Sequence, residues 1–328
     1  MTFDELHQYL TTHDKYLLLS HADPDGDAIG SQIGLHEILT QLGKNVLVLN
    51  ADASSAKFMA FDTAKIIRSL EEGALPPNDL SQRILVLLDT SDYQHTHAAK
   101  DVLLPFGKEV LIIDHHTPPS QLPRLAYIDD TAAASSQIVF ELAQRSGLTL
   151  SKGAAAALFM GIVYDTGSFI YPKTSPVTFD TARCLVELGV KPIEIHSALY
   201  ETIEPSRMRL LALVQSTLTL SHDERTAFQL VTQEMLAKTG SAIEHTENFI
   251  NYPLKCTTVL VSVLMKEVAP GKFRCSLRSK GVVDISGLAL SQGGGGHRTA
   301  AGFPCPLLPL DQLIDWILQA VVSLYPKD

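Results

Sequence analysis

The first half of the chain contains short, continuous apolar runs. They cover residues 16–20, 46–49, 84–88 and 110–113. Apolar positions at helical spacing predict helices over residues 3–12, 29–42, 132–146 and 152–163. Continuous apolar runs that alternate with helices are typical of a parallel sheet covered on both faces. This half is therefore predicted as an α/β domain built on a parallel sheet.

The pattern changes between residues 191 and 215. Residues 190–192 end the first domain, and 205–214 form a helix suited to connect two lobes. Predicted strands then cover residues 218–220, 227–232, 258–265 and 273–277. A chain of 328 residues is long for a single core. We predict a catalytic domain at 1–190, a helical linker at 191–215 and a smaller α/β domain at 216–328.

Composition and charge narrow the class of protein. With 45% hydrophobic and 19% charged residues, the chain is globular rather than disordered. Its net charge of −10 argues against binding to long duplex nucleic acid. The longest apolar runs are too short to span a membrane, and Met1-Thr-Phe-Asp-Glu lacks a signal-peptide pattern. With four cysteines in no CxxC pair, we expect a cytoplasmic protein without a membrane partner.

Carboxylate and imidazole side chains cluster where the apolar runs end. The clusters comprise His21, Asp25 and Asp27 after the first run, Asp89 after the third, Asp114-His115-His116 after the fourth, and Asp165 at the end of another apolar run. In open parallel sheets, the ligand site lies beyond the carboxyl ends of the strands, where the strand order reverses. We therefore expect these four clusters to meet at one edge of the sheet.

The chemistry of these clusters points to metal ions. Closely packed carboxylates repel one another and raise one another's pKa, and a divalent cation removes that conflict. Carboxylates mixed with histidine are suitable ligands for Mn²⁺ or Zn²⁺. Two divalent cations also balance the charge of four carboxylates. An acidic surface turn or a helix N-cap would explain one cluster alone, but four clusters in one domain favour metal binding.

A second candidate site lies near the end of the chain. It combines Arg278-Ser-Lys280 with a glycine run, Gly293–Gly296, followed by His297. Glycines allow backbone N–H groups to approach an anion closely, and cationic side chains lie beside them. A flexible linker is the alternative, although residues 297–302 have a composition that can start a helix. We predict an anion-binding loop.

These motifs resemble the DHH phosphoesterase superfamily. The resemblance rests on His-x-x-Pro-Asp-Gly-Asp at 21–27, Asp89, Asp114-His115-His116 and Asp165-Thr-Gly. The C-terminal half resembles the DHH-associated domain with its Gly-Gly-Gly-His loop. The similarity covers nearly the whole chain and is greatest to the bacterial nano-RNA/pAp phosphoesterases, where pAp is 3′-phosphoadenosine 5′-phosphate. Exonucleases of the RecJ type and family II pyrophosphatases belong to the same superfamily.

The resemblance implies a role for each motif residue. His21 and Asp25 hold one Mn²⁺, while Asp27, His115 and Asp165 hold a second. Asp89 bridges both ions together with the nucleophilic water, and His116 contacts the phosphate and protonates the leaving group. Asp114 orients a metal-binding imidazole. The residues implied to bind the nucleotide end are Arg278, Ser279, Lys280, Gly294, Gly295, Gly296 and His297.

The implied activity is metal-dependent hydrolysis in a cleft between the two lobes. Short oligoribonucleotides become mononucleotides, and pAp loses its 3′-phosphate to give AMP. Mg²⁺ and Co²⁺ are alternative ions, and a homodimer is one oligomeric state that the resemblance allows. Three alternatives stay open: a cyclic-dinucleotide or pApA phosphodiesterase, a RecJ-like single-strand exonuclease, and an inactive nucleotide-binding regulator.

The chain departs from the family pattern at three places. Asp23 stands where this subgroup often has asparagine, and residues 91–97 lack the arginine commonly found there. Residues 168–170 also lack a basic residue that some members have. These departures leave the contacts to substrate phosphate, and so the preferred substrate length, open.

Overall fold

A computed structural model describes residues 1–118 and 124–325 of the chain. The chain divides into two compact units, Met1–Thr202 and Ile203–Asp328, so the division falls within the predicted linker. The last residues of the predicted second domain, 326–328, lie outside the described residues. No helix in the described part of the chain is long and apolar enough to cross a bilayer.

Unit 1 contains a parallel sheet of six strands. The strands are β1 Lys15–Ser20, β2 Asn45–Asn50, β3 Ile67–Ser69, β4 Ile84–Leu88, β5 Glu109–Asp114 and β6 Ala126–Ile128. The helices are α1 Phe3–Thr12, α2 Gly26–Gln41, α3 Ala56–Met59, α4 Ala99–Val102, α5 Ser135–Arg145, α6 Lys152–Asp165, α7 Pro176–Glu187 and α8 Pro192–Tyr200. The strand order is β3-β2-β1-β4-β5-β6, with every pairing parallel.

The predicted α/β class is confirmed, because all four apolar runs lie on strands of this sheet. Strand β4 is buried along its whole length, and β1 is buried from Tyr16 onwards. Apolar clusters cover both faces, with α2, α5 and α6 on one of them. Strands β3 and β6 were not predicted, because they have three residues each and are too short to give a periodic signal.

Helices α2 and α6 pack closely because α2 has glycines at every fourth position. A Cβ atom at Gly26, Gly30 or Gly34 would clash with α6, at Gly30 with a backbone carbonyl oxygen. The spacing of four residues places these glycines on one face of α2. The close approach brings the start of α2, which carries Asp27, next to the end of α6, which carries Asp165.

Unit 2 contains a second sheet, ordered β11-β12-β10-β9-β8-β7. Its strands are β7 Thr219–Leu220, β8 Thr226–Val231, β9 Val261–Ala269, β10 Lys272–Ser279, β11 Gly295–His297 and β12 Ala300–Pro304. Its helices are α9 Pro205–Ser216, α10 Gln233–Thr239, α11 Ser286–Ser291 and α12 Leu310–Val322. Strands β8 and β9 are parallel and the other pairs antiparallel. Helix α12 packs on one face, and α9 and α10 pack on the other.

The prediction that residues 297–302 start a helix is wrong. Gly295–His297 instead pairs with Ala300–Gly302 in an antiparallel hairpin. A Cβ atom at Gly294 would clash with the carbonyl oxygen of Gly302, and Gly296 has a φ of +143°. Gly294 and Gly296 are therefore needed for the close approach of two segments of the protein itself, which a pattern of local propensity does not reveal.

Candidate metal centre

The candidate site lies where the strand order of the first sheet reverses. This point falls between β1 and β4, and ligands of open α/β sheets bind at such points. His21 follows β1 and Asp89 follows β4, while His115 and His116 follow β5. A cavity of about 490 Å³ opens here, lined by His21, Asp25, Asp89, His116 and Asp165 among others.

Two of the carboxylates are positioned by helix ends. Asp25 is the N-cap of α2, where its Oδ1 accepts hydrogen bonds from the backbone N–H groups of Asp27 (2.9 Å) and Ala28 (3.2 Å). Asp165 is the last residue of α6 rather than a residue at a strand end. The tight packing of α2 on α6 therefore brings it to the site.

The six predicted ligands come together in two groups. The potential ligand atoms of His21, Asp25 and Asp89 lie within 4.8 Å of one another, and so do those of Asp27, His115 and Asp165. Asp89 Oδ2 lies 3.6 Å from His21 Nε2, whereas Asp89 Oδ1 lies 3.4 Å from His115 Nε2. Asp89 therefore directs one oxygen toward each group. It also has a φ of +61°, a conformation uncommon for non-glycine residues.

The donor set fits metal ions. His115 Nε2 is buried without a hydrogen-bond partner among the described residues, although it lies 3.3 Å from Asp165 Oδ2. A buried polar atom without a partner is unfavourable unless a proton, water or cation satisfies it. Asp27 and Asp89 are also buried, so the site holds carboxylates that water does not fully solvate.

Electrostatics show the conflict between these carboxylates. Burial raises the pKa of Asp27, and the negative charge of Asp89 raises it further. Burial raises the pKa of Asp165 in the same way. Burial also disfavours the charged form of Asp89, but the imidazoles of His115 and His21, at 3.4 and 3.6 Å, outweigh it and lower the pKa of Asp89. Without cations, the carboxylates can share the site only if protons balance part of their charge.

The imidazoles supply part of that balancing charge. Burial lowers the pKa of His21, but the Asp89 carboxylate, 3.6 Å from its Nε2, raises it overall to about 9. Burial also lowers the pKa of His115, but the carboxylates of Asp89 and Asp27 raise it overall to about 9. In the metal-free state both rings therefore bind a proton at neutral pH. Cations at the same place would release those protons.

His115 and His116 differ in environment although they are adjacent. His115 is buried, whereas the His116 side chain is 55% exposed. His116 Nδ1 donates to Asp114 Oδ1 at 2.7 Å, while His115 Nδ1 faces the carbonyl oxygen of Ala132 at 3.3 Å. Asp114 Oδ1 also accepts from the backbone N–H of His115 at 2.8 Å. The expectation that Asp114 orients a metal-binding imidazole stays a prediction, and the ring that it contacts is that of His116, through the Nδ1 hydrogen bond. This hydrogen bond raises the pKa of His116.

Ser135 is a residue that the sequence analysis missed. Its backbone N–H donates to Asp27 Oδ2 (2.6 Å), and its hydroxyl donates to Asp89 Oδ1 (3.0 Å). The N–H of Ser136 donates to the other oxygen of Asp27 at 2.8 Å. The start of α5 thus holds two carboxylates at once, which also suits the dipole of the helix. A serine after three alanines gives no signal of this role in the sequence.

Part of the cavity wall comes from the segment after Asp89. It includes Thr90, Ser91 and His95. His95 stands within residues 91–97, where the usual arginine is missing, and none of the described residues that line the cavity is a lysine or arginine. The Lys173 ammonium donates to the backbone carbonyl of His115 at 2.7 Å, so a cation does lie close to the histidine pair. The sequence analysis did not single out His95 or Lys173.

In unit 2, Arg278 and His297 share one face of the sheet. Arg278 on β10 pairs with Ala300 on β12, and Ala300 pairs with His297 on β11. Residues directly opposite each other in antiparallel strands project to the same side. Arg278 is half-buried and His297 is exposed. The hairpin therefore brings together two basic side chains that are separated in sequence.

The other predicted substrate residues have different surroundings. Ser279 is buried, and its hydroxyl donates to the carbonyl of Val283 and accepts from the N–H of Gly281. It supports a turn within the protein, which does not fit direct contact with substrate. Lys280 is exposed, with its ammonium on the carbonyl of Cys256. Gly295 has open space around its Cα, unlike Gly294 and Gly296.

Comparisons with known proteins agree with this geometry. Residues 15–162 match the model of the DHH family, N-terminal domain. The chain is 32% identical to the bifunctional oligoribonuclease and PAP phosphatase NrnA of Thermus thermophilus, over 93% of this chain and 88% of the relative. The chain belongs to the DHH family. The Bacillus subtilis protein of the same name is 29% identical, over 91% of each chain.

Structural similarity extends the DHH family match to both units. An exopolyphosphatase-related protein from Bacteroides fragilis superimposes with a TM-score of 0.77 at 26% identity, covering 98% of this chain and 95% of the other. The family model ends at residue 162, before Asp165 and all of unit 2. The relatives that match along nearly the whole length therefore connect unit 2 to the same family.

Proposed function

We propose that this DHH-family enzyme hydrolyses short oligoribonucleotides to mononucleotides and removes the 3′-phosphate of pAp to give AMP. The observation that supports this most directly is the arrangement of Asp89 between two groups of ligands. The relatives that match over nine-tenths of the chain carry both activities in their names. The regulator alternative is disfavoured, because all six ligand positions hold residues competent to bind metal.

Two Mn²⁺ ions fit the donor set, with Mg²⁺ or Co²⁺ as substitutes. His21 and Asp25 would hold one ion, Asp27, His115 and Asp165 the other, and Asp89 both. When bound, such ions supply positive charge for phosphate oxygens and lower the pKa of water. Because Asp89 and Asp27 are already fixed by hydrogen bonds from Ser135, little reorganisation accompanies ion binding.

His116 is proposed as the proton donor to the leaving group. Its Nδ1 is engaged by Asp114, so its Nε2 is the atom available to substrate. The Asp114 carboxylate raises the pKa of His116, so the ring holds its proton at a higher pH than an isolated histidine. The half-exposed ring lines the cavity, which places it within reach of a bound phosphoester.

Unit 2 is proposed to hold the nucleotide end of the substrate. Arg278, Lys280 and His297 supply the cationic contacts to the substrate. Gly294–Gly296 allow the substrate to approach the backbone closely, and Ser279 supports a neighbouring turn. The net charge of −10 provides no basic track for a long strand. The enzyme should therefore prefer substrates a few nucleotides long. Cytoplasmic location and homodimer formation stay predictions from the sequence.

A panel of substrates tests this proposal. The wild-type enzyme with Mn²⁺ is assayed on a 5′-labelled diribonucleotide, pAp, pApA and a 24-residue strand, with a chelator as control. We expect metal-dependent turnover of the diribonucleotide and pAp that exceeds turnover of the 24-residue strand. Comparable rates on the 24-residue strand would favour a RecJ-like exonuclease. Turnover of pApA alone would favour a role in cyclic-dinucleotide breakdown.

A further inference from the structure

Unit 1 has a second cavity at the β3 edge of its sheet. It has a volume of about 380 Å³, within the range of small-molecule sites. Its apolar wall comes from residues 46–49 of β2 together with Leu17, Ile66, Ala74, Leu75 and Pro77. It shares no lining residue with the metal centre, so its chemistry is separate from the site described above.

The polar part of this lining is entirely basic. It consists of His36, Lys65 and Arg68, without a carboxylate. Within residues 1–118 and 124–325, neither Lys65 nor Arg68 has a carboxylate oxygen within 4.0 Å. A chain with a net charge of −10 thus presents two unpaired cations beside one apolar-walled cavity. Such a wall strengthens the attraction for an anion, because it limits screening by water.

A well-defined turn places Lys65 at the cavity. The carboxylate of Asp62 is buried and accepts hydrogen bonds from the backbone N–H groups of Ile66 (3.0 Å) and Ile67 (2.9 Å). Lys65 has a φ of +53°, a left-handed conformation that is unfavourable for a non-glycine residue. Since glycine would adopt this turn without strain, a lysine here is explained by a use for its side chain.

The turn also explains the shape of the cavity. Strand β3 begins only at Ile67, which pairs with Val48. In the described part of the chain, no strand covers residues 45–47 of β2 on that side. Leu47 is 40% exposed as a result, and Leu75, which also lines the cavity, is 83% exposed. Two exposed leucines beside the cations suit an anion that carries an apolar body.

His36 adds a neutral polar contact. It lies on α2 and is half-buried, and burial lowers the pKa of its imidazole. At neutral pH the ring is therefore uncharged and can donate one hydrogen bond and accept another. It gives the cavity a directional partner for a hydroxyl or ring nitrogen of a ligand.

We infer that this cavity binds a 5′-mononucleotide, with the phosphate on Lys65 and Arg68 and the base against Leu47 and Leu75. A phosphate dianion matches the two cations, and a flat base matches the apolar wall. The choice of a mononucleotide among organic phosphates rests on the proposed function, which releases such products. The binding itself requires neither the metal centre nor unit 2.

The test uses methyl NMR on the full chain in Mg²⁺, with AMP as the probe. The methyl signals of Leu47 and Leu75 report on this cavity alone. We expect saturable shifts in the wild type and at least tenfold weaker binding in Lys65→Gly/Arg68→Ala. Glycine at 65 keeps the turn unstrained. The control Lys108→Ala/Lys152→Ala removes the same charge elsewhere and should bind AMP normally.

Adenosine and an acidic peptide complete the design. Adenosine lacks the phosphate and should bind at least tenfold more weakly than AMP. No saturable shift with AMP, equal affinity in Lys65→Gly/Arg68→Ala, or shifts with the acidic peptide but not AMP would overturn the inference. Turnover of a diribonucleotide is assayed separately and should be unchanged in both variants. Failure of the proposed function would appear there, without affecting the AMP titration.

Discussion

The two units present their candidate functional residues in opposite ways. In unit 1, Asp27, Asp89 and His115 are buried at the ends of elements that the core fixes. In unit 2, His297 is exposed on the three-residue edge strand β11. Arg278 is half-buried on β10, which is separated from β11 by β12. Chemistry on phosphate needs fixed charges, whereas recognition of a nucleotide tolerates adaptable side chains. The difference suggests that unit 1 controls the rate and unit 2 the affinity.

The largest effect should come from the residue between the two ligand groups. We expect Asp89→Ala to lower turnover at least about 100-fold in excess Mn²⁺, because both groups lose a shared carboxylate. Circular dichroism and thermal unfolding check that the variant is folded. Asp89→Asn keeps the shape and should also be impaired. If a folded Asp89→Ala variant keeps more than about a tenth of wild-type activity, the assignment of Asp89 is wrong.

The histidine pair separates metal binding from proton donation within unit 1. His115→Ala should lose metal, because its buried Nε2 has no hydrogen-bond partner among the described residues and lies within the second ligand group. His116→Ala should keep metal and lose rate, since its ring is half-exposed and engaged by Asp114. Elemental analysis of both purified variants, together with turnover, measures the split. Equal metal loss in both would contradict the proposed division of roles.

Unit 2 is tested by Arg278→Ala. We expect KM for diribonucleotides and pAp to rise about tenfold, the effect of losing one charge-assisted hydrogen bond. Turnover of bis-p-nitrophenyl phosphate should hardly change, because this substrate has no nucleotide end. Arg274→Ala is a matched control, since Arg274 lies on the same strand and on the same side. A fall in kcat for both substrates would move Arg278 into the catalytic chemistry.

A smaller effect is expected from the start of α5. Ser135→Ala removes the hydroxyl hydrogen bond to Asp89, and such bonds contribute about 1 kcal/mol, or roughly a fivefold change in kcat. The KM should stay the same. Ser136→Ala is the control, because the Ser136 hydroxyl has no partner among the described residues. Equal effects in the two variants would show that packing, rather than the hydrogen bond, is responsible.

The two units also differ in how well the sequence predicted them. The strand ends of unit 1 were predictable, because apolar runs such as 84–88 define both the strand and the residue that follows it. Asp165 was expected from its motif. It lies at a helix end, however, and the packing that brings this end to the site depends on the glycine face of α2. The hairpin at 295–304 was not predictable, because its glycines are needed for contact with a partner strand, which local sequence does not show. The ring that Asp114 contacts was not predictable, since spacing does not show which side chain its oxygen reaches.

The smallest expected effect is a pH dependence of the metal-free state. The pKa of His21 and of His115 is about 9 in the folded chain, above the ordinary value of 6.5. Protonation therefore stabilises the folded state fully below pH 6.5, and this contribution is lost as the pH rises through 9. In a chelator, Tm should fall over that window by a few degrees.

Mn²⁺ should reduce this fall in Tm, because bound ions would balance the carboxylate charge that protons balance in the metal-free state. A general increase in negative charge would also lower Tm with pH, so Asp89→Asn provides the comparison. It removes the carboxylate that raises both histidine pKa values, and its Tm in chelator should change less between pH 6.5 and 9. Thermal unfolding of both proteins, with and without Mn²⁺, gives four slopes of Tm against pH. Identical slopes in chelator would mean that the buried histidines of unit 1 do not hold the protons that the geometry assigns to them.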